Sequence, residues 1–244
     1  MSFFISFPIH KYKAVLIKKG GFVLSPLLFS SSDREDVMAD TEFMILDLTD
    51  FSETEYAFCL SLMTEQRKRA VNRFHFPDDR KRTVAGELLA KRMLSDRCGI
   101  EIEKIVFDRS EKGKPFAVGL SAAFSVSHSG ALVLCAVSSR PVGADIEKHR
   151  SVNDRLIRYA CAQGEWEYVT AAGISDDEKQ RRFFRVWTGK EAYYKYTGTG
   201  ITSMHGVDIF NPALQSRITY FQRGDYAVSL FCESEQPPSE RHSL

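Results

Sequence analysis

Cysteine is scarce in this sequence, and no cysteine motif is present. The 244 residues contain five cysteines, an odd number without any C-x-x-C pair, which argues against a framework of disulfides. Cys135 lies in the apolar run Leu132–Ala136, as expected of a small buried hydrophobic side chain. We therefore expect free thiols in a reducing compartment.

The sequence also lacks long apolar runs and an excess of charge of one sign. No apolar stretch is long enough to cross a membrane, and the segment Phe3–Ile9 contains Pro8 and is followed, not preceded, by lysines, unlike a secretory signal. Lys and Arg number 33 against 32 Asp and Glu, a net charge of +1, whereas proteins that bind a nucleic-acid backbone usually have a clear basic excess. We expect a cytoplasmic protein that binds neither membranes nor nucleic acids.

The first forty residues differ in pattern from the rest. The apolar runs Tyr12–Ile17 and Phe22–Phe29 flank a Lys-Lys-Gly-Gly stretch, which is typical of a β-hairpin with a glycine turn. A poorly ordered extension, or upstream sequence before a start at Met38, accounts for the same residues equally well. Residues 1–40 are therefore predicted as an N-terminal extension, and 233–244 as a polar tail.

Between these ends, the sequence predicts two similar halves, 41–138 and 139–232, each with helices and antiparallel-looking strands. In the first half, strand 43–48 precedes helices that begin at Ser52 and Thr64 and a long helix Pro77–Cys98 ended by Gly99. In the second, two short helices precede a long one that begins at the Ser175–Glu178 capping box. Further strands are predicted at 104–107, 124–127, 131–137, 142–146, 218–221 and 226–231. The predicted fold class is α+β.

Two acidic residues share a face of the predicted strand V-G-A-D-I-E at 142–147. Successive side chains of a strand point to opposite faces, so Asp145 and Glu147 lie on the same one. Their mutual repulsion would be relieved by a cation such as Mg²⁺, which prefers oxygen ligands. A solvent-facing strand with salt bridges to Lys148 or Arg150 explains the residues as well.

A second candidate group lies on the long helix of the second half, in W-T-G-K-E-A-Y-Y-K at 187–195. Helical spacing places Trp187, Glu191 and Lys195 on one stripe. Gly189 costs about 1 kcal/mol relative to alanine in mid-helix, which indicates a close approach of backbone or ligand. A surface Glu–Lys pair beside a core tryptophan is the plainer alternative.

The segment F-S-V-S-H-S-G at 124–130 places hydroxyls and a histidine where a strand meets a turn. Ser127 and His128 are adjacent and point to opposite faces, so they do not form a catalytic triad, and no G-x-S-x-G elbow is present. A polar rim that donates hydrogen bonds to phosphate oxygens is the better interpretation. Basic clusters at 67–73, 80–82 and 112–114 either serve the same anion or form solvated faces, and no P-loop or G-x-G-x-x-G motif is present.

Taken in order, these segments resemble the 4′-phosphopantetheinyl transferases of the Sfp type, the long single-chain class. The resemblance rests on Gly113-Lys114-Pro115, F-S-V-S-H-S-G, V-G-A-D-I-E and W-T-G-K-E-A-Y-Y-K, preceded by R-F-H-F-P-D-D-R-K-R-T at 73–83. It covers about 43–231. It implies a pseudo-dimer of two α+β halves with coenzyme A in the cleft between them, and therefore a monomer.

The resemblance also implies an activity and roles for individual residues. The phosphopantetheine arm of coenzyme A would pass to a serine of an acyl or peptidyl carrier protein, releasing adenosine 3′,5′-bisphosphate. Asp145, Glu147 and Glu191 would hold Mg²⁺; Glu191 would also act as base, and Lys195 would stabilise the developing charge. Six residues would contact the phosphates or the nucleotide: Arg67, Arg82, Thr83, Lys114, Ser127 and His128. The alternative is a non-catalytic coenzyme A or carrier-protein binding module on the same fold.

Overall fold

The structure, a computed structural model, describes residues 40–233. Strand β1 (Glu42–Asp47) is followed by helices α1 (Glu53–Ser61), α2 (Glu65–Val71) and α3 (Pro77–Cys98), a 3-10 turn, and strands β2 (Phe107–Arg109), β3 (Pro115–Ala117), β4 (Ala123–Ser129) and β5 (Leu132–Ser138). The predicted N-terminal extension and polar tail lie outside the described residues, apart from Asp40 and Glu233.

The second part begins with strand β6 (Val142–Lys148). Helices α4 (Asp154–Ala160), α5 (Gln163–Val169) and α6 (Asp176–Thr197) follow, then a 3-10 turn, the short helix α7 (Pro212–Gln215) and strands β7 (Ile218–Arg223) and β8 (Tyr226–Cys232). The strand predicted at 104–107 was wrong in position: Ile102–Lys104 form the 3-10 turn, and the strand begins at Phe107.

One topology occurs twice along the described chain. The first sheet has the order β1-β5-β4 and the second the order β6-β8-β7, and every pairing within them is antiparallel. In each half, the first strand of the sheet is followed by two short helices and one 22-residue helix. The other two strands of the sheet come after these helices. This mixture of helices and antiparallel sheets agrees with the predicted α+β class.

Two helix ends lie where the capping residues in the sequence predicted them, because the capping interactions are formed. The Ser52–Glu55 capping box has both of its bonds, and Gly99 ends α3 in the left-handed region at φ 67°. Only one of the two hydrogen bonds predicted for the second capping box, Ser175–Glu178, is present. Ser175 caps the amide of Glu178, but the Glu178 carboxylate binds Arg181 and Arg182, because two charged partners on its own helix outcompete one backbone amide.

Three of the four buried apolar clusters in the described part of the chain include strands of the two sheets. One lies between α3 and the first sheet, another around α6 and the helices beside it. A third contains residues from both sheets, including Ile45 and Leu134 from the first and Ala144 and Leu230 from the second. The two sheets are therefore held face to face by buried apolar contacts.

A buried ion pair anchors α6. Lys190 and Glu165 are both 0% exposed, and Lys190 Nζ lies 2.5 Å from Glu165 Oε2. The ammonium also donates to the carbonyls of Ala160 and Met204, at 2.6 and 2.7 Å. Glu165 accepts from the amides of Ala162 and Ile209. Both charges are thus fully partnered, which is the condition under which a buried pair is tolerated.

Replacing Lys190 with alanine should destabilise the protein by about 3–5 kcal/mol, because Glu165 is left buried without a counter-ion. Urea unfolding measures this loss. Lys104→Ala is the matched control, since that lysine forms an exposed pair with Glu101 and should change stability by less than about 1 kcal/mol. Equal losses in the two variants would contradict the assignment.

The described chain contains no helix that is both long and apolar enough to span a membrane. All five cysteines are free, and four of them are buried: Cys59, Cys135, Cys161 and Cys232. The burial of these four agrees with the prediction of small buried apolar side chains.

Candidate functional site

The candidate site forms where β4 lies beside β6, the first strand of the second sheet. Three serines at alternate positions of β4 make hydrogen bonds to β6. Ser125 Oγ accepts from the amide of Ala144 at 3.0 Å, and Ser127 and Ser129 bond to carboxylates of β6. The period of two along a strand turns all three hydroxyls to one side, so this row of serines joins the two sheets along their adjoining strands.

Asp145 is held at one of its two oxygens. Its Oδ1 accepts from Ser127 Oγ at 2.6 Å and from Lys195 Nζ at 2.6 Å, and Lys195 Nζ also donates to Ser127 Oγ at 2.8 Å. The residue is 3% exposed, and its Oδ2 is buried without a hydrogen-bond partner. An uncompensated carboxylate oxygen in this position is costly, which favours a ligand at Oδ2.

Glu147 repeats this arrangement two residues later. Its Oε2 accepts from Ser129 Oγ at 2.8 Å and from Arg150 at 3.2 Å. Among the described residues, no hydrogen bond reaches Oε1. The alternative of a solvent-facing strand was therefore wrong for Asp145, which is buried. The salt bridge to Arg150 that this alternative predicted is present, and its partner is Glu147.

Glu191 faces both of these carboxylates from α6. Burial raises its pKa to about 7, and the negative charges of Asp145 and Glu147 add to this rise against the opposing effect of Lys195. The structure gives no salt bridge between Glu191 and Lys195, because the lysine is bonded to Asp145 and Ser127. The predicted surface Glu–Lys pair is therefore replaced by a network between helix and strand.

The three carboxylates have the chemistry of a site for a hard cation. Each β6 carboxylate has one oxygen to which no described residue donates a hydrogen bond. The negative charges of Asp145 and Glu147 add to the rise that burial gives the pKa of Glu191. Within 40–233, however, no three His, Cys, Asp or Glu side chains already converge closely enough to hold a metal ion. The positive charge beside Asp145 here is that of Lys195.

A pocket of about 240 Å³ opens beside this network. It is lined by Glu191 and Lys195 of α6, by the turn Lys112–Pro115, and by the start of β4. Lys114 reaches across its wall to the end of α6, where its Nζ donates to the carbonyls of Tyr196 at 2.9 Å and Val142 at 3.4 Å. Burial lowers the pKa of Lys114.

His128 lies on the other side of β4 from the serines, near Arg82 of α3. Although the residue is exposed, desolvation lowers its pKa, and the charges of Arg82 and Lys195 lower it further. Arg82 donates to the carbonyl of Gly130 at 2.8 Å and to Asp79 at 2.6 Å. The charge of Arg82 therefore acts on His128 near the end of β4, and a cationic side chain in this place suits an anion.

Two family models match this chain, one after the other. One, described as "4′-phosphopantetheinyl transferase, N-terminal", matches 50–140, and one described as "4′-phosphopantetheinyl transferase superfamily" matches 141–243. The chain belongs to the 4′-phosphopantetheinyl transferase superfamily. The resemblance to transferases of the Sfp type drawn from four short motifs is thereby confirmed.

Curated members of this superfamily align over about the same region. The chain is 36% identical over 156 residues to HetI of Nostoc sp., 30% over 152 residues to Sfp of Bacillus subtilis, and 32% over 146 residues to gsp of Aneurinibacillus migulanus, each described as a 4′-phosphopantetheinyl transferase. The alignments cover 61%, 62% and 60% of this chain and 65%, 67% and 60% of the respective relatives.

The structure brings together most of the residues that the transferase motifs single out. Hydrogen bonds join Ser127, Asp145 and Lys195, and Glu191 lies close enough for the charges of Asp145, Lys195 and Glu147 to act on its pKa. Arg67 lies apart: its guanidinium is paired with Glu87 of α3, one turn beyond Thr83. The phosphate-binding roles of the six predicted residues stay predictions.

The serine hydroxyls of F-S-V-S-H-S-G have hydrogen-bond partners that the sequence did not predict. They were predicted to donate to phosphate oxygens, but Ser127 and Ser129 donate to Asp145 and Glu147. The signal was present as serines at 125, 127 and 129, whose spacing puts them on one side of a strand. What faces that side depends on the docking of β6, which no local pattern encodes.

Proposed function

We propose that this protein is a Mg²⁺-dependent transferase that moves the 4′-phosphopantetheine arm of coenzyme A to a serine of an apo acyl or peptidyl carrier protein. The proposal rests on the pairing of Asp145 and Glu147 near Glu191 and Lys195. Each of the two β6 carboxylates has one oxygen that accepts no hydrogen bond from a described residue. A non-catalytic binding module does not need this charge-repelling set, so the arrangement favours catalysis.

The three carboxylates Asp145, Glu147 and Glu191 are the residues that would hold the cation. A bound Mg²⁺ would neutralise negative charge on the pyrophosphate of coenzyme A. Lys195 places a second positive charge beside Asp145, where it offsets the charge that develops on the transferred group. This combination of a metal and a lysine is a common solution for phosphoryl transfer.

Glu191 is the proposed general base. Burial raises its pKa to about 7, and a bound cation would lower it again, so the carboxylate would be ionised and able to accept a proton near neutral pH. It accepts the proton of the carrier's serine as that oxygen bonds to the phosphorus attached to the pantetheine arm. The bond from this phosphorus to the bridging oxygen breaks, and adenosine 3′,5′-bisphosphate leaves.

The proposed substrate site lies between the two halves of a pseudo-dimer, 41–138 and 139–232. The repeated topology and the row of serines between β4 and β6 support this division. Lys114 and Arg82 bring local positive charge to a chain of net charge +1, which suits a small anionic substrate, and His128 adds an imidazole near Arg82. Since both halves are in one chain, we propose that a cytoplasmic monomer is the active form.

A direct assay is incubation with coenzyme A, Mg²⁺ and a panel of apo carrier proteins, followed by intact mass measurement. At least one carrier should gain the mass of one phosphopantetheine group, and adenosine 3′,5′-bisphosphate should appear in equal amount. A protein that binds coenzyme A and carriers but transfers nothing would support the binding-module alternative.

His128 should bind a coenzyme A phosphate without nucleophilic work. His128→Ala should raise the KM for coenzyme A about 10-fold or more, the usual effect of losing a hydrogen bond to a charged group, with kcat little changed. A bound phosphate favours the charged imidazole and so raises its pKa, so wild-type affinity should increase as the pH falls, and that of the variant should increase less. A covalent phospho-histidine seen by mass spectrometry would contradict this role.

A further inference from the structure

Ser129 makes two hydrogen bonds that fix the direction of its hydroxyl hydrogen. Its Oγ accepts from the amide of Lys148 at 3.0 Å and lies 2.8 Å from Glu147 Oε2. A carboxylate cannot donate when ionised, so the serine O–H must point to Glu147. The Lys148 amide, which belongs to β6 itself, thereby holds the serine in the orientation in which it donates to the neighbouring carboxylate.

The hydroxyl of Ser127 is oriented in the same way, by the side chain of Lys195 in place of a backbone amide. Lys195 Nζ donates to Ser127 Oγ at 2.8 Å, and that hydroxyl donates to Asp145 Oδ1 at 2.6 Å. Each carboxylate of β6 therefore has one oxygen bound by a serine of β4 and by a cationic side chain. The other oxygen, Asp145 Oδ2 or Glu147 Oε1, has no hydrogen bond from a described residue.

Of the two groups on Glu147 Oε2, the serine is the better restraint. The Arg150 side chain is 57% exposed and its guanidinium lies 3.2 Å away, so solvent weakens that pair. The Ser129 bond is shorter, and the backbone of β6 fixes its direction. The rotation of the Glu147 carboxylate is therefore set mainly by Ser129.

We propose that Ser129 is a positioning residue for the cation site, which orients Glu147 so that Oε1 faces the ligand. This inference rests on the proposed function, because it assumes that Asp145, Glu147 and Glu191 bind a divalent cation. Residues that orient metal ligands typically contribute 10- to 100-fold to affinity. Ser129 differs from Ser125, whose hydroxyl, among the described residues, bonds to the Ala144 backbone and to no carboxylate.

The test is titration with Mn²⁺ in the presence of saturating coenzyme A, by calorimetry and by electron paramagnetic resonance of the free ion. Ser129→Ala should bind Mn²⁺ about 10-fold more weakly than wild type, and Ser129→Thr, which keeps the hydroxyl, should recover most of the affinity. Ser125→Ala removes a neighbouring hydroxyl of the same row and should keep the wild-type affinity for Mn²⁺. In transfer assays Ser129→Ala should raise the Mg²⁺ concentration for half-maximal rate, with kcat recovered at high Mg²⁺.

Asp145→Ala separates this inference from the proposed function. If wild type binds no Mn²⁺, or if Asp145→Ala binds it as wild type does, the cation site is wrong and both proposals fail. If Asp145→Ala loses Mn²⁺ while Ser129→Ala binds it within twofold of wild type, only the positioning role is overturned. Equal weakening in Ser129→Ala and Ser125→Ala would likewise overturn it, because the effect would then come from loosening of the two strands.

Discussion

Asp145→Ala should lower the rate of phosphopantetheine transfer by about 100- to 1,000-fold at saturating coenzyme A and Mg²⁺, the range seen when one group that stabilises transition-state charge is removed. Asp145 supplies the buried free oxygen and also holds Lys195. Its loss therefore removes a cation ligand and frees the lysine at once. Single-turnover kinetics, read by intact mass, measure the change.

The melting temperature of Asp145→Ala should fall little, because the substitution also relieves repulsion with Glu191, whose pKa that charge raises. Asp154→Ala is the control for loss of a carboxylate: that residue lies at the start of α4 and binds Lys179 at 2.9 Å. Its transfer rate should stay within twofold of wild type. Unchanged turnover in Asp145→Ala would remove this residue from the site.

Gly143→Ala should be the most damaging glycine substitution. A Cβ at this position would lie 1.9 Å from the carbonyl oxygen of Ala192 and 2.5 Å from the amide of Tyr196. Both contacts are backbone atoms of α6, which cannot move aside as a flexible side chain can. Strand β6 and helix α6 would have to separate, and with them Asp145 and Glu191.

We expect Gly143→Ala to lose about 3 kcal/mol or more of stability, which lowers the melting temperature of a domain of this size by about 10 °C, and to lose activity even where it stays folded. Gly164→Ala is the matched control, because α5 leaves open space around that glycine, and alanine there should be neutral or stabilising by up to about 1 kcal/mol. Similar melting temperatures for the two variants would show that the close approach of β6 and α6 does not matter.

Local patterns predicted the elements of the fold well because the relevant interactions lie within one turn or one strand. Pro77 and Gly99 bound α3 as predicted, and Gly130 forms the β4–β5 turn at φ 54°. The alternation of side chains also brought Asp145 and Glu147 to the same side of β6. The short strand β3 was missed, since three residues with a proline carry little pattern.

The remaining features depend on contacts between distant parts of the chain. Gly189 indicated a close approach, and the structure shows that the neighbour is the side chain of Ile209, with a Cβ position 3.0 Å from its Cδ1. Lys114 was predicted to bind phosphate but reaches Tyr196, 82 residues away in sequence. Such partners are set by the packing of α6 against the second sheet, which no local spacing reports.

The proposed site transfers phosphopantetheine only when a divalent cation is bound, and this dependence can be measured on the wild-type protein. The intact mass of a competent apo carrier protein is followed with coenzyme A in EDTA, and again after Mg²⁺ is added in excess. We expect no mass change in EDTA and full conversion to the phosphopantetheinylated carrier after Mg²⁺ addition. Conversion at the same rate in EDTA would contradict it.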